Sequence, residues 1–407
     1  MEGNLRTQST TTTHRGDCSP TLLTFHPNTL NTLNTFKTLS VAKLLRSHPP
    51  PRQIHLHKRN VLDALIGCRR PGMGTHAWHC DWCGNPQVAY NGCHNRHCAS
   101  CRRQRRADWV ERLLGWMLPV DYLHCVFTVP HELIPLFLAN EDQLYRLLFA
   151  SVAQTLNSVF RKSFHARPGF IMVLHTWGQR MNLHPHVHVI ITLGGLKLDE
   201  TAWVHLSDDD ITHGEFSKIA LAKLFRELFL KGIVKLFRQQ KLTIPPSMEK
   251  SKPIRCEADL NDWLQPVRDK AWRANVQAAP DHCHGPEAVL KYLAGYVAGS
   301  AIRDDRILRY DGQCVVIRVK DYRTGSIIEL PMTGEQFVQR FTLHILPPRL
   351  IRIRYAGLFS ARYRKRWLEV SRQVLGAPPL EEVDAPDEGE EDAAFHEDAP
   401  FTHPHAP

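Results

Sequence analysis

The sequence predicts an α+β fold, with a small cysteine-rich module ahead of a larger body in which helices flank strands. Three observations carry this. Five of the eleven cysteines fall between positions 80 and 101. The segments GFIMVLHTW and HPHVHVIITL are β-rich, and the second closes on Gly194-Gly195. EDQLYRLLFASVAQTLNSVFRK spaces its apolar residues as a helix does.

The elements follow in order. Residues 1 to about 50 are rich in Thr, Asn and Ser and end in SHPPPR, so they read as a disordered extension. RQIHLHKRNVLDALIGC reads as a helix, followed by a Gly-rich turn and the cysteine cluster. RRQRRADWVERLLGWML is a basic amphipathic helix. From 121 the pattern becomes β-rich, with strands near 121–129, 170–177 and 186–193. Helices are expected at 214–240 and 258–277, and again in PEAVLKYLAGYVAG, where Pro286 suits a first turn. Short strands with an RTG turn run from 306 to 330. GEQFVQRFTLHIL is then helical up to Pro347-Pro348, and LIRIRY is extended.

The net charge of +10 understates the basic part. Residues 381–398 hold ten acids and no Lys or Arg, so removing that stretch leaves +20 on the rest. A body with that excess attracts polyanions, nucleic acid first among them. The first thirty residues lack an apolar core for a signal peptide, and no run of eighteen apolar residues suggests a membrane span. Clustered cysteines without a secretory context argue for metal rather than disulfides, and a reducing cytoplasm is expected.

Cys80-x-x-Cys83 and Cys98-x-x-Cys101 are two knuckles fourteen residues apart. That spacing suits a tetrahedral structural Zn²⁺ held by four thiolates, and Gly84 supplies the tight turn after the first knuckle. Cys93, His79, His94 and His97 lie nearby; they are read as surface or supporting groups, although any could replace a ligand. The run RRQRR directly after the last knuckle suits phosphate contact.

His184, His186 and His188 alternate along one strand, so their imidazoles share a face while Val187, Val189 and Ile191 point into a core. Imidazoles so placed suit a divalent metal that polarises a phosphoryl oxygen. His175 and Gln179 lie upstream across an expected hairpin and are the candidates for a third ligand. His282 and His284 in HCHG form a minor competing pair. Tyr292 and Tyr296 stand one helical turn apart on one face. Read alone they are packing residues; a phenol becomes a nucleophile only with help from a base or cation.

The order of zinc knuckles, HPHVH strand and Y-x-x-x-Y helix resembles the IS91-type insertion-sequence transposases, members of the wider HUH endonucleases. The resemblance runs from about residue 55 to 367. It includes CRRPGMGTHAWHCDWCG, NRHCASC, CVFTVPHEL, LHTWGQRMNLHPHVHV, YLAGYV and RFTLHILPPRLIRIRYAGL. It implies an HUH-type five-stranded antiparallel sheet flanked by helices, preceded by a small zinc-ribbon-like module. It implies that His186 and His188 hold Mg²⁺ or Mn²⁺ against a scissile phosphate, and that Tyr292 or Tyr296 attacks it. The products would be a 5′-phosphotyrosine link and a free 3′-OH, in rolling-circle type transposition on single-stranded or hairpin-forming element ends. Two positions depart from the family pattern. Gly295 stands where Arg is usual between the tyrosines, and Ala99 stands where Pro is common after the third cysteine.

The expected organisation is therefore an extension to residue 50, a zinc-binding DNA-binding domain at 51–115, and an HUH tyrosine nuclease domain at 116–300. A C-terminal extension of that domain at 301–378 and a disordered acidic tail at 379–407 complete it. The expected setting is a bacterial cytoplasm, at the nucleoid when DNA is bound. Two further functions remain open at the level of sequence. Gly295 and the unassigned third ligand leave room for a zinc-dependent DNA-binding protein without catalysis. A His-x-His hydrolase using activated water would need further ligands on other strands.

Overall fold

A computed structural model describes residues 39–79, 84–249, 252–278, 300–321 and 324–379. Helices α1 (Val41–Ser47) and α2 (Leu56–Gly67) precede the hairpin β1 (Thr75–His79) and β2 (Pro86–Tyr90), and then helix α3 (Ala99–Leu114). The central part runs β3 (Tyr122–Thr128), α4 (Ile134–Ala139), α5 (Glu141–Ser163), β4 (Ala166–Arg167), β5 (Gly169–Trp177) and β6 (Leu183–Thr192). It continues through β7 (Gly195–Lys197), β8 (Trp203–Val204), α6 (Asp208–Thr212), α7 (Lys218–Arg238), α8 (Glu257–Asp269) and β9 (Arg273–Ala278). The last part holds β10 (Ile307–Tyr310), β11 (Cys314–Lys320), β12 (Ile327–Thr333), α9 (Gly334–Thr342), β13 (Ile353–Gly357) and α10 (Arg364–Val374).

The fold is α+β, as expected. Its centre is a five-stranded sheet of order β13-β5-β6-β3-β9 in which every neighbour is antiparallel. One face is closed by α5, α7 and α8. Leu156 and Phe160 of α5, Phe225 and Phe229 of α7 and Leu264 of α8 are fully buried with Val187, Val189 and Ile191 of β6. Removing that much apolar surface from water is what holds the layer together. α5 also carries Glu141 and Asp142 in its first turn and Arg161 and Lys162 in its last, which suits its dipole. Described residues also pack over part of the other face. Leu113 of α3 and Trp116 and Leu118 just after it, with Trp367 and Leu368 of α10, pack over Ile171, Ile190 and Tyr355. The rest of that face carries histidines.

A second core joins elements far apart in the chain. Leu44, Leu45, Leu62 and Leu65 from the first two helices meet Cys68, Cys98 and Cys101, and then Val315, Ile317 and Val319 of β11 and Phe337 and Phe341 of α9. β10, β11 and β12 form an antiparallel sheet whose inner face is this core. The link to the central sheet is the turn between β5 and β6. Met181 there takes a left-handed φ of 56° and is fully buried in the second core. Contacts from the later part of the chain help hold the turn: Arg306 donates to the carbonyl of Gln179, Arg340 to that of Arg180 and His344 Nε2 to that of Met181.

Some expectations need correcting. The extension does not run to residue 50, because Val41–Ser47 is a helix capped by Ser40, with Leu44 fully buried. The helix expected over 258–277 stops at Asp269, and Arg273–Ala278 is the edge strand β9. Its buried Ala274 and Val276 alternate with Asn275 and Gln277, a pattern too short to stand out after a helix. The helix expected to reach Leu346 ends at Thr342.

Candidate functional site

The histidine site is a consequence of strand register. β6 places His186 and His188 on one face, and antiparallel pairing sets His175 of β5 directly opposite His186. His175, His186 and His188 are all buried, and each offers a ring nitrogen within 4.8 Å of the others'. The group contains no carboxylate. Of the two residues considered for a third ligand, His175 thus joins the pair, whereas Gln179 lines the cleft nearby. His184 sits at the mouth, its ring 5.2 Å from that of His186.

Hydrogen bonds fix which nitrogens face inward. His186 Nδ1–H donates to the carbonyl of His184 at 2.7 Å, which leaves Nε2 as the lone-pair atom. That atom lies 3.1 Å from His188 Nε2. His188 Nδ1 lies 2.9 Å from Nε2 of His124 on β3. If His188 Nε2 is to carry a lone pair inward, its Nδ1 must hold the proton and donate to His124. Burial keeps these rings neutral: it pushes His186 and His124 down to about 4 and His188 well below its ordinary value. Neighbouring His175, His186 and His124 add to the effect on His188. Neutral imidazoles packed with their lone pairs together are suited to a divalent cation.

These imidazoles form the floor of a cleft of about 600 Å³. Asn275 of β9 and Thr128 of β3 extend the floor. Arg303, Arg306, Arg318, Val319, Lys320 and Ile327, from the part of the chain that forms β10–β12, line the cleft as well. Ser300 also lines it. Tyr292 and Tyr296 lie outside the described residues, as do His282, His284 and Gly295. Ser300, where the described chain resumes, is four positions after Tyr296.

A second cluster has the stereochemistry of a closed zinc site. Cys68, Cys93, Cys98 and Cys101 bring their sulfurs within 4.8 Å of one another. Cys68 and Cys98 are 3.6 Å from each other, Cys68 and Cys101 3.6 Å, and Cys93 and Cys101 3.9 Å. Four sulfurs at about 2.3 Å from a tetrahedral Zn²⁺ stand about 3.8 Å apart, so the observed edges fit the ion. Burial pushes the Cys68 thiol up to about 11, which disfavours bare thiolates here and makes a cation the natural counterpart. Gly92 is required by space, since a Cβ there would lie 2.8 Å from Cys101 Sγ. The sequence expectation paired Cys98 and Cys101 with Cys80 and Cys83, which lie outside the described residues. Cys68 carried no local signal, being a lone cysteine at a helix end. Cys93, read as a supporting group, stands among the four.

The zinc loop is tied to the rest of the molecule. Arg96 donates to the carbonyls of Leu346, Pro347 and Leu350, and His97 Nε2 accepts from the Leu346 amide. Asp304 accepts from the Val41 amide at 2.9 Å, capping α1 from the far end of the chain. No helix of the described residues is long and apolar enough to cross a membrane.

Comparison with known proteins agrees with this geometry. Residues 39–129 match the family model described as "Transposase zinc-binding domain", and residues 169–366 match one described as "Putative transposase". The chain is 35% identical over 337 residues to "Putative transposase y4qJ" of Sinorhizobium fredii (strain NBRC 101917 / NGR234), covering 81% of this chain and 82% of that one. It is 27% identical over 314 residues to "Transposase for insertion sequence element IS801" of Pseudomonas savastanoi pv. phaseolicola, covering 76% and 72%. No solved structure matches significantly. With a zinc-binding domain and a transposase region matched in the order the fold uses them, this chain belongs to the IS91-type insertion-sequence transposases.

Proposed function

We propose that this transposase nicks and rejoins single-stranded DNA at element ends through a 5′-phosphotyrosine intermediate. The observation that carries the reading is the convergence of His175, His186 and His188 in a cleft that Arg303, Arg306, Arg318 and Lys320 also line. His186 and His188, with His175 as third ligand, would hold Mg²⁺ or Mn²⁺. That ion supplies polarisation of a phosphoryl oxygen and orientation of the scissile phosphate. Tyr292 or Tyr296 is the nucleophile. Its phenolic O–H loses a proton to solvent as the oxygen forms the new P–O bond, the bond to the 3′ oxygen breaks, and that oxygen leaves as a free 3′-OH after taking a proton from solvent. The phosphodiester energy stays in the covalent link, so rejoining needs no external energy source. Two tyrosines allow a second strand transfer before the first link is released, as rolling-circle type transposition requires. The setting is the bacterial cytoplasm, at the nucleoid. The zinc site is structural: four thiolates close the coordination shell and leave no open position for chemistry.

The test is direct. Incubated with a labelled single-stranded oligonucleotide from an element end and Mn²⁺, the protein is expected to give a covalent adduct on a denaturing gel. Tyr292→Phe combined with Tyr296→Phe abolishes it. An adduct that persists in the double variant overturns the assignment, and cleavage without any adduct points to activated water instead.

A further inference from the structure

We infer that the outer face of the β10–β12 sheet is the surface that grips the backbone of single-stranded DNA next to the histidine site. The inference rests on the reading of the histidine cluster as the cleavage centre and says where the strand lies. It starts from alternation in β11. Val315, Ile317 and Val319 are buried in the second core, so Arg318 and Lys320 project from the opposite face and are exposed. The outer face of the sheet is not purely cationic, since Glu329 of β12 stands opposite Arg318 in register and pairs with Arg309, but Glu329 does not line the cleft. Here the lining of the cleft holds Arg303, Arg306, Arg318 and Lys320 and, among the described lining residues, no Asp or Glu. Asp305 touches Arg318 at 3.6 Å and Arg303 at 2.8 Å, an exposed contact that offsets one charge and leaves the wall clearly positive.

The wall is also held in place. Arg306 bridges the two sides, donating through Nε to the carbonyl of Arg318 and through Nη2 to that of Gln179. This ties β11 to the β5–β6 turn, and so keeps the cations in the same cleft as the imidazoles. Ile327, paired with Lys320 across the sheet and 70% exposed, adds an apolar spot beside the charges. A groove lined by cations suits the backbone of a flexible single-stranded polyanion. A duplex, whose phosphates lie on a broad rigid cylinder, does not enter a cleft of about 600 Å³ to reach buried imidazoles.

The experiment measures binding apart from cleavage. Fluorescence anisotropy of a labelled single-stranded oligonucleotide is titrated with the full chain, without added Mg²⁺ or Mn²⁺, across a range of salt. Arg318→Ala with Lys320→Ala is expected to weaken binding at least tenfold at moderate salt. It is also expected to flatten the slope of log K against log salt by about 1.4, which is two single-strand phosphate contacts at about 0.7 each. Arg318→Lys with Lys320→Arg keeps both charges and is expected to restore affinity. Lys231→Ala, exposed on α7 away from the cleft, leaves binding unchanged. Zinc content and melting temperature should match wild type in every variant. Wild-type affinity and slope in the double alanine variant would overturn the inference, as would a loss that the charge-keeping variant fails to restore. Adduct formation is scored separately. Adducts from wild type with no change in binding by the wall variants reject the wall and leave the cleavage centre standing. Wall-dependent binding with no adduct from wild type upholds the wall and rejects the cleavage centre.

Discussion

His124 is not among the residues lining the cleft, yet its Nε2 lies 2.9 Å from Nδ1 of His188, which is. The neutral pair shares one proton, and its position decides whether His188 Nε2 can coordinate. A ligand imidazole whose other nitrogen donates to a partner is oriented and made more basic, and losing such a partner typically costs about 10–100-fold in metal affinity. His124→Phe is therefore expected to raise the Mn²⁺ concentration at half-saturation by that factor in a direct binding titration. His124→Gln, whose carbonyl can accept the same proton, should recover part of it. His175→Ala removes one of the three clustered imidazoles and should cost more than either. The same burial sets a pH dependence. His186 and His124 are pushed to about 4 from an ordinary 6.5, so the folded state binds fewer protons than the unfolded one between those values. Stability is undiminished by these groups above 6.5 and falls as pH drops from 6.5 through 4. Thermal melts in low-salt buffer should show that decline, and Mn²⁺ binding should persist well below 6.5 before protons displace it. A melting temperature flat from 6.5 to 4 would contradict the burial argument.

At the scale of elements, what the sequence reveals depends on whether its signal is local. β6 was legible because alternation is a property of one strand: His186 and His188 on one face, with Val187, Val189 and Ile191 on the other, as the core confirms. The fold class was legible for the same reason, and the three expected strands fall at Tyr122–Thr128, Gly169–Trp177 and Leu183–Thr192. The third imidazole was only half legible. His175 could be named as near in sequence, but its place opposite His186 is a matter of register between strands. The cysteine cluster shows the limit most sharply. Cys98 and Cys101 announce themselves by spacing, whereas Cys68 comes from the end of α2 and is brought in by packing that no short window contains. A prediction follows for the zinc site. Cys68→Ser or Cys93→Ser should reduce bound zinc, measured by mass spectrometry, to a small fraction of one per chain. Because Cys68, Cys98 and Cys101 share a core with β11, hydrogen exchange at Val315, Ile317 and Val319 should accelerate as well. If zinc stays at wild-type level in both variants while Cys80→Ser loses it, the four-sulfur cluster is not the zinc site.

Among the described residues, the central sheet with its packed faces and the second core border one cleft, and this arrangement is the least visible from sequence. The expected division set residues 51–115 and 301–378 apart, yet Leu62 and Leu65 of the first pack with Val315 and Phe337 of the second. Chain connectivity hides this, since the two stretches are separated by the central sheet. One side chain joins the layers at their meeting point. Met181 leaves the β5–β6 turn, takes a left-handed backbone conformation that costs a non-glycine residue energy, and buries itself completely in the second core. The surroundings must outweigh that cost, and the contacts from Arg306, Arg340 and His344 to the neighbouring carbonyls supply part of what does. Met181→Ala removes the buried thioether while keeping the turn, and should cost about 2–5 kcal/mol in unfolding free energy. Its effect on binding distinguishes an anchor from ordinary filling. If Met181 holds the cationic wall in the same cleft as the histidines, the variant should bind single-stranded DNA more weakly at temperatures where it is still fully folded, and Gly178–Asn182 should lose hydrogen-exchange protection first. Met181→Leu, which keeps the volume, should leave both nearly as in wild type. A variant that melts earlier but binds DNA unchanged while folded would show that Met181 fills the second core without setting the cleft.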